Sequence, residues 1–297
     1  MDIQDLRYFL AVSREENITR AAEAAHISQP ALSRRLMDLE QELGQQLLVR
    51  GKRKITLTER GGLLRKRAEE ILALVEKAGR EVSSSAEQLA GELAVGGGAS
   101  AQVAGAAARL ARQYPGVSLY FFSGSAEDVL ERVEHGVLDF GVLIEPPDPL
   151  RYESLVLPGQ NYWGVLMRGD NPLAQKKVIR PDDLAQVRLI MHQRASLRER
   201  LAAWLGKPVK DLQITASYNL IYGNAMSLVK KGLGCALTLN AQVEQNGLCF
   251  VPLAPALPVV YYLVWKRGRV MSRLSGKFLT LLKEAVPASN GPAKMVK

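Results

Sequence analysis

The sequence predicts a multi-domain α/β chain: a small helical head ending in a short hairpin, one long helix, then a larger region of alternating strands and helices. Three observations carry this. Residues 2–44 show 3.6-period apolar spacing in three short blocks separated by cap signals. Residues 58–87 hold a sustained seam of apolar residues. From Glu92 onward, strand patterns alternate with helix patterns, the mark of sheets covered by helices. At 297 residues the chain is long enough for two or three domains.

The first block, 2–14, places Leu6, Phe9 and Leu10 on one side of a helix. "NITRAAEAAHIS" follows, an alanine-rich helix with Asn17 or Thr19 as cap, ending near His26. Ser28 is a good N-cap for the next helix. Pro30 falls in its first turn, where the missing N–H costs nothing, and Gly44 ends it. Two helices meeting across the turn His26–Ser28 form a helix-turn-helix. Taking Leu32 as zero and about 100° per residue, Leu36 and Leu39 fall within about 40° of it, whereas Pro30, Met37 and Arg34 fall at about 160°, 140° and 200°. The leucines therefore pin the helix and turn Gln29, Pro30, Ser33 and Arg34 outward at its N-terminal end. Side chains there reach base edges and phosphates when a helix enters a major groove, and the helix N-terminus itself favours a phosphate.

"QLLVRGKRKITLTERG" reads as strand (Leu47–Arg50), basic tip (Gly51–Lys54) and strand (Ile55–Leu57), a wing beside the helix-turn-helix. Four of the five residues in "RGKRK" are basic, and cations there suit a backbone or a minor groove. Thr58 caps the long helix, with Glu59 in its first turn. Leu64, Ala68, Ile71, Val75, Ala78 and Val82 are spaced 4, 3, 4, 3 and 4, and the flanks are charged, which predicts a coiled-coil partner over packing within the chain. "SSSAEQLAG" reads as a hinge. Strands are expected at 92–97, 117–123, 138–144, 161–167, 187–191, 211–217, 235–239, 248–253 and 259–265, and helices at 100–113, 125–135, 196–205, 222–231 and 271–284.

Composition excludes several classes. Apolar content of 47% and charged content of 23% are ordinary for a globular chain, and a formal net charge of +9 suits a polyanionic partner. The longest apolar runs, such as "VVYYLVW", are far short of the ~20 residues that cross a bilayer. The start, "MDIQDLRYF", does not read as a signal peptide, and Cys235 and Cys249 read as buried filler in a reducing cytoplasm. Neither H-E-x-x-H nor paired C-x-x-C is present, so no metal site is expected; "VGGGAS" is not a dinucleotide loop, and there is no G-x-S-x-G elbow. His192 and Ser196, four apart, are the nearest approach to a hydrolase pair, with no acid placed by motif. No catalytic residue and no cofactor is expected. The rival readings are a hydrolase and a solute-binding protein of transport.

The signature pieces "AA…SQPALSRRLMDLE" and "RGKRKITLTERG", with weaker echoes in "YPGVSLYFFSG", "HGVLDFGVL" and "LVKKGLGCALTL", give the chain its resemblance to LysR-type transcriptional regulators over essentially its whole length. The resemblance implies a winged helix-turn-helix (1–58), a linker helix and hinge that dimerises (59–91), and a two-lobed, periplasmic-binding-protein-like effector domain (92–297). Lobe one would be 92–161 with 266–297 and lobe two 162–265, with crossings near Gln160–Tyr162 and Val264–Lys266. It implies promoter DNA and RNA polymerase as partners, a homodimer assembling to a homotetramer, a small-molecule effector, and a cytoplasmic location. DNA contacts carry over to Gln29, Pro30, Ser33, Arg34, Arg50, Arg53 and Lys54. Leu48 stands where the family often has an aromatic, a change of wing packing. Effector contacts carry over to Ser100, Gln102, Ser125 and Glu145 from lobe one, and to His192, Ser196, Asn219, Tyr222 and Thr238 from lobe two. Glu145 argues against a tightly bound simple dianion there, or for a ligand with an amino group. The glycine-rich "AVGGGASAQ" would bring backbone N–H groups close to a ligand.

Overall fold

A computed structural model describes residues 1–51, 54–83, 89–98, 100–219, 224–240 and 247–285. The head is α1 (Ile3–Glu15), α2 (Ile18–Ala24) and α3 (Gln29–Leu43), followed by β1 (Leu48–Arg50), β2 (Ile55–Leu57) and the long α4 (Glu59–Ser83). Each helix start is set by a side chain. Asp2 accepts from the Asp5 N–H and Asp5 returns the bond to Asp2, a reciprocal cap on α1. Asn17 caps α2, and Ser28 caps α3. Gly44, at φ 62°, ends α3 in the left-handed region where a Cβ is costly.

Leu32, Leu36 and Leu39 of α3 are buried with Leu6, Phe9 and Leu10 of α1, and the small Ala21 and Ala22 let α2 close over them. Glu40 fastens the wing to this core: one carboxylate oxygen accepts from the N–H groups of Leu47 and Leu48 at 2.7 and 3.0 Å. β1 and β2 pair antiparallel, with Leu48 opposite Leu57 and Arg50 opposite Ile55. Leu48 itself is buried. Thr58 caps α4 by accepting from the Gly61 N–H at 2.9 Å. Gly61 must be glycine, because a Cβ there would lie 2.1 Å from the Leu47 carbonyl oxygen.

The heptad seam of α4 divides. Ala68 is buried in the head's own core, with Leu64, Ile71 and Leu72 packed against it. That half of the seam is therefore satisfied within the chain, a correction to a coiled coil running its whole length. Farther along, Val75 is 40% exposed and Ala78 is exposed as well. The side chain of Val82 lies outside the described residues.

The remaining chain forms two α/β lobes. In lobe one, β3 (Gly91–Gly97) pairs parallel with β4 (Val117–Phe122) and β5 (Phe140–Leu143). The next strands in that sheet are β11 (Pro258–Lys266) and the first half of β6 (Tyr152–Arg168). Helices α5 (Ala101–Gln113) and α9 (Arg273–Ala285) cover one side, with Leu110, Phe140 and Phe278 in the core, and α6 (Ala126–Glu134) covers the other through Val129 and Val133. In lobe two, the second half of β6 pairs antiparallel with β9 (Cys235–Leu239) and β10 (Leu248–Pro252). β9 in turn pairs parallel with β7 (Leu189–His192), and β7 with β8 (Ile214–Tyr218). Helices α7 (Ala195–Leu205) and α8 (Met226–Lys230) complete it.

β6 spans both sheets: residues up to Tyr162 pair with β11, and from Trp163 on they pair with β9. Its first half, 152–160, precedes the strand that the sequence predicts at 161–167; Pro158 and Gly159 interrupt the strand pattern in sequence. The second crossing is also corrected. Tyr262–Val264 pair with β5 inside lobe one, and the register shift that marks the handover falls between Val259 and Tyr261, not at Val264–Lys266. Lobe two thus gives up most of β11 to lobe one.

Candidate DNA-binding face and effector cleft

On α3, Gln29, Pro30 and Arg34 are exposed and Ser33 is half-buried. The Gln29 amide donates to the Ser33 hydroxyl at 3.0 Å, which holds the two side chains together on the outward face. The neighbouring arginines have different tasks. Arg35 reaches back to Asp5 at 3.1 Å and Asp2 at 3.5 Å, tying α3 to α1. Arg34 has no carboxylate within ion-pair distance among the described residues, so its charge is directed to solvent. Lys54, at the base of the wing, pairs with Glu16 at 3.3 Å. Gly51 donates to the Lys54 carbonyl at 3.0 Å and closes the turn. The side chain of Arg50, and Lys52 and Arg53 entirely, lie outside the described residues.

The candidate effector residues Ser100, Gln102, Glu145, His192, Ser196 and Asn219 lie at or just beyond the C-terminal ends of β3, β5, β7 and β8. Ser100 caps α5, is buried, and donates to the Gln102 side chain at 3.0 Å. A Cβ on Gly159 would lie 3.5 Å from the Gln102 amide nitrogen, so Gln102 leans on the β6 crossing. In lobe two, His192 is fixed on both ring nitrogens. Nε2 donates to the Asn219 carbonyl at 2.8 Å, and Nδ1 accepts from the Arg194 N–H at 3.0 Å. Burial pushes its pKa below the ordinary histidine value, against the opposing pull of the Asn219 bond, and its ring stands edge-on to Tyr218. This imidazole is neutral and committed to its own loops.

Glu145, after β5, accepts from the Ser196 hydroxyl at 3.3 Å and pairs with Arg194 at 2.9 Å. Arg194 also pairs with Glu127 of α6 at 3.3 Å. One guanidinium of lobe two thus meets two carboxylates of lobe one. The pairing removes the reason for inferring an amino group on the ligand: Glu145 already has its cation. Ser196 donates to Glu145, not to His192, so the hydrolase pair is not formed. Ser125 stands apart as a reciprocal cap with Asp128 at the start of α6. Thr238 is buried on β9 against the Tyr218 hydroxyl. Tyr222 lies outside the described residues. The structure therefore brings together Glu145, His192, Ser196 and Asn219, sets Ser100 with Gln102 beside the crossing, and gives Ser125 and Thr238 local partners.

Sequence reasoning missed Arg194 and Glu127. A signal existed for the first. Arg194 occupies the N-cap of α7, where a cation opposes the helix dipole and no side-chain cap bond is made; an unfavourable residue there calls for a partner elsewhere.

Known proteins agree with this architecture. Residues 3–62 match the family described as bacterial regulatory helix-turn-helix protein, lysR family, and residues 86–287 match the LysR substrate binding domain. The Hca operon transcriptional activator HcaR of Escherichia coli K12 is 30% identical over 297 residues, covering 96% of this chain and 98% of that protein. The nitrogen assimilation regulatory protein nac of the same organism is 30% identical over 73% of this chain and 75% of its own length. Full-length CbnR complexed with its target DNA shares the fold, with a TM-score of 0.76 at 19% identity over 96% of this chain and all of that one. Among the described residues no helix is long and apolar enough to cross a membrane. The chain belongs to the LysR family of helix-turn-helix transcriptional regulators, with a DNA-binding head and an effector-binding domain of the family's substrate-binding type.

Proposed function

We propose that the protein is a sequence-specific regulator that inserts the front of α3 into the major groove of promoter DNA and answers to a small molecule seated between its lobes. The observation that carries this is the pairing of opposites on α3: three buried leucines on one side, and on the other Gln29, Ser33 and an Arg34 whose charge has no ion-pair partner among the described residues. The wing cations Arg50, Arg53 and Lys54 add backbone contacts, and CbnR, of the same fold, is known with its target DNA bound. The effector contacts are Ser100, Gln102, Glu145, His192, Ser196 and Asn219, with Ser125, Tyr222 and Thr238 at the margin. The hydrolase reading loses its one candidate pair, because the Ser196 hydroxyl donates to Glu145 and the His192 ring bonds Asn219. The protein works in the cytoplasm as a homodimer through the exposed half of α4, assembling to a homotetramer that contacts RNA polymerase.

The test is mobility shift of the DNA immediately upstream of the protein's own gene, with thermal-shift screening of small metabolites to find the effector. Retardation at low salt that weakens steeply as salt rises supports the reading. Absence of any shift at low salt removes it.

A further inference from the structure

One face of α6 touches both the cleft and the helix that carries the DNA-binding head. Glu127, Glu131 and His135 follow one another at intervals of four along α6 and its C-cap, so they form a single stripe. At the front of the stripe, Glu127 pairs with Arg194 of lobe two. One turn on, Glu131 pairs with Lys66 of α4 at 2.5 Å and with Arg67 at 3.4 Å. At the end, His135 Nδ1 lies 3.3 Å from the Glu70 carboxylate of α4, a side chain only 6% exposed. Glu70, Glu131 and His135 are close enough together to suggest a cation site, but Arg67 Nη1 already lies 2.8 Å from Glu70, 3.4 Å from Glu131 and 3.4 Å from His135. The guanidinium fills it.

α4 has a second, deeper attachment. Lys77 pairs with Asp139 at 2.5 Å, with side chains 12% and 5% exposed, and Asp139 also accepts from the Ala94 N–H at 2.9 Å. Lys66 and Lys77, one from each attachment, are 11 residues apart in the sequence, roughly 16 Å along the helix. The Lys77–Asp139 pair is buried and fixed beside β3; in the other attachment, Lys66, Arg67 and Glu131 are partly exposed around the buried Glu70.

We propose that α6 is the lever that couples the cleft to the DNA-binding head. Separation of Arg194 from Glu127, when the lobes move or a ligand competes for the guanidinium, releases the front of α6. Its rear stripe then shifts against Lys66, Arg67 and Glu70, and α4 turns about the Lys77–Asp139 pivot. This rests on the effector-responsive reading above and names the route by which that response travels.

The experiment is amide hydrogen exchange on the full-length protein without DNA or any small molecule. Arg194→Gln should raise exchange over residues 65–74 of α4 by about two- to fivefold, the range expected for loss of a partly exposed ion pair. Glu127→Gln, which cuts the same contact from the α6 side, should reproduce the rise. In a Glu131→Gln background, where the rear of the lever is already cut, Arg194→Gln should add no further increase. Glu284→Gln, which breaks the unrelated Arg109–Glu284 pair of lobe one, should leave α4 unchanged. Unaltered α4 exchange in both Arg194→Gln and Glu127→Gln overturns the lever, as does a full additive increase in the double variant. Because the readout uses neither promoter nor ligand, it can fail while the mobility shift succeeds, and the reverse.

Discussion

The front of α3 and the cleft between the lobes are built in opposite ways. On α3, every candidate contact is carried by one helix, held from behind by Leu32, Leu36 and Leu39, and the charge of Arg34 has no ion-pair partner among the described residues. In the cleft, candidates come from four separate loops, and their polar groups satisfy one another: Arg194 with Glu127 and Glu145, Ser196 with Glu145, His192 with Asn219. A surface that waits for a polyanion can leave its cation open to water, since an exposed guanidinium loses little hydration. Groups set between two lobes compensate one another's charge, because a partly buried, unpaired charge is costly. On the proposed function, a ligand seated at Arg194 and Glu145 competes with contacts already made, and DNA at α3 does not.

The sharpest break of this contrast removes the anchor. Leu36→Ala should destabilise the head by about 2–5 kcal/mol, read by denaturant titration, and take DNA binding with it. Next comes the contact itself. Arg34→Ala should weaken binding to a preferred site by about 1–3 kcal/mol and relax base preference, read by anisotropy titration against altered sites, while the melting temperature holds. Uniform weakening across all sequences would instead make Arg34 a phosphate contact. The cleft should respond more weakly in stability: Arg194→Ala should cost about 1 kcal/mol or less in thermal melting, because its two partners remain reachable by water.

The smallest expected effect is in pH dependence. Burial holds the His192 pKa below its ordinary value, so the folded chain resists a proton that the unfolded chain takes up. Stability should fall as pH drops through the ordinary imidazole range toward the depressed folded value. His192→Gln should flatten that part of the profile, measured as the difference in melting temperature between wild type and variant from neutral to mildly acidic pH. An unchanged profile would mean that His192 titrates freely.

Where the sequence was legible, the signal was local. The caps Ser28 and Asn17, Pro30 in the first turn, Gly44 at the end and the leucine stripe are all decided within a turn or two of helix, so α3 and its outward face follow from spacing alone. Gly61 differs from them: its reason, the Leu47 carbonyl oxygen 2.1 Å from any Cβ, appears only in the fold. The α4 seam shows the limit. Its spacing is the same in both halves, and periodicity reports that a face is apolar without naming what covers it. The first half turned out to cover the head's own core, and the second is exposed.

The sequence by itself determined the helical head, the wing, the long helix and the alternation of the lobes, because each depends on neighbours a few residues away. Tertiary structure alone decided that β11 hands over at Val259–Tyr261, that Arg194 bridges Glu127 and Glu145, and that one stripe of α6 meets α4. Those contacts join residues separated by tens of positions, and their energy depends on distance and burial, which no local pattern encodes.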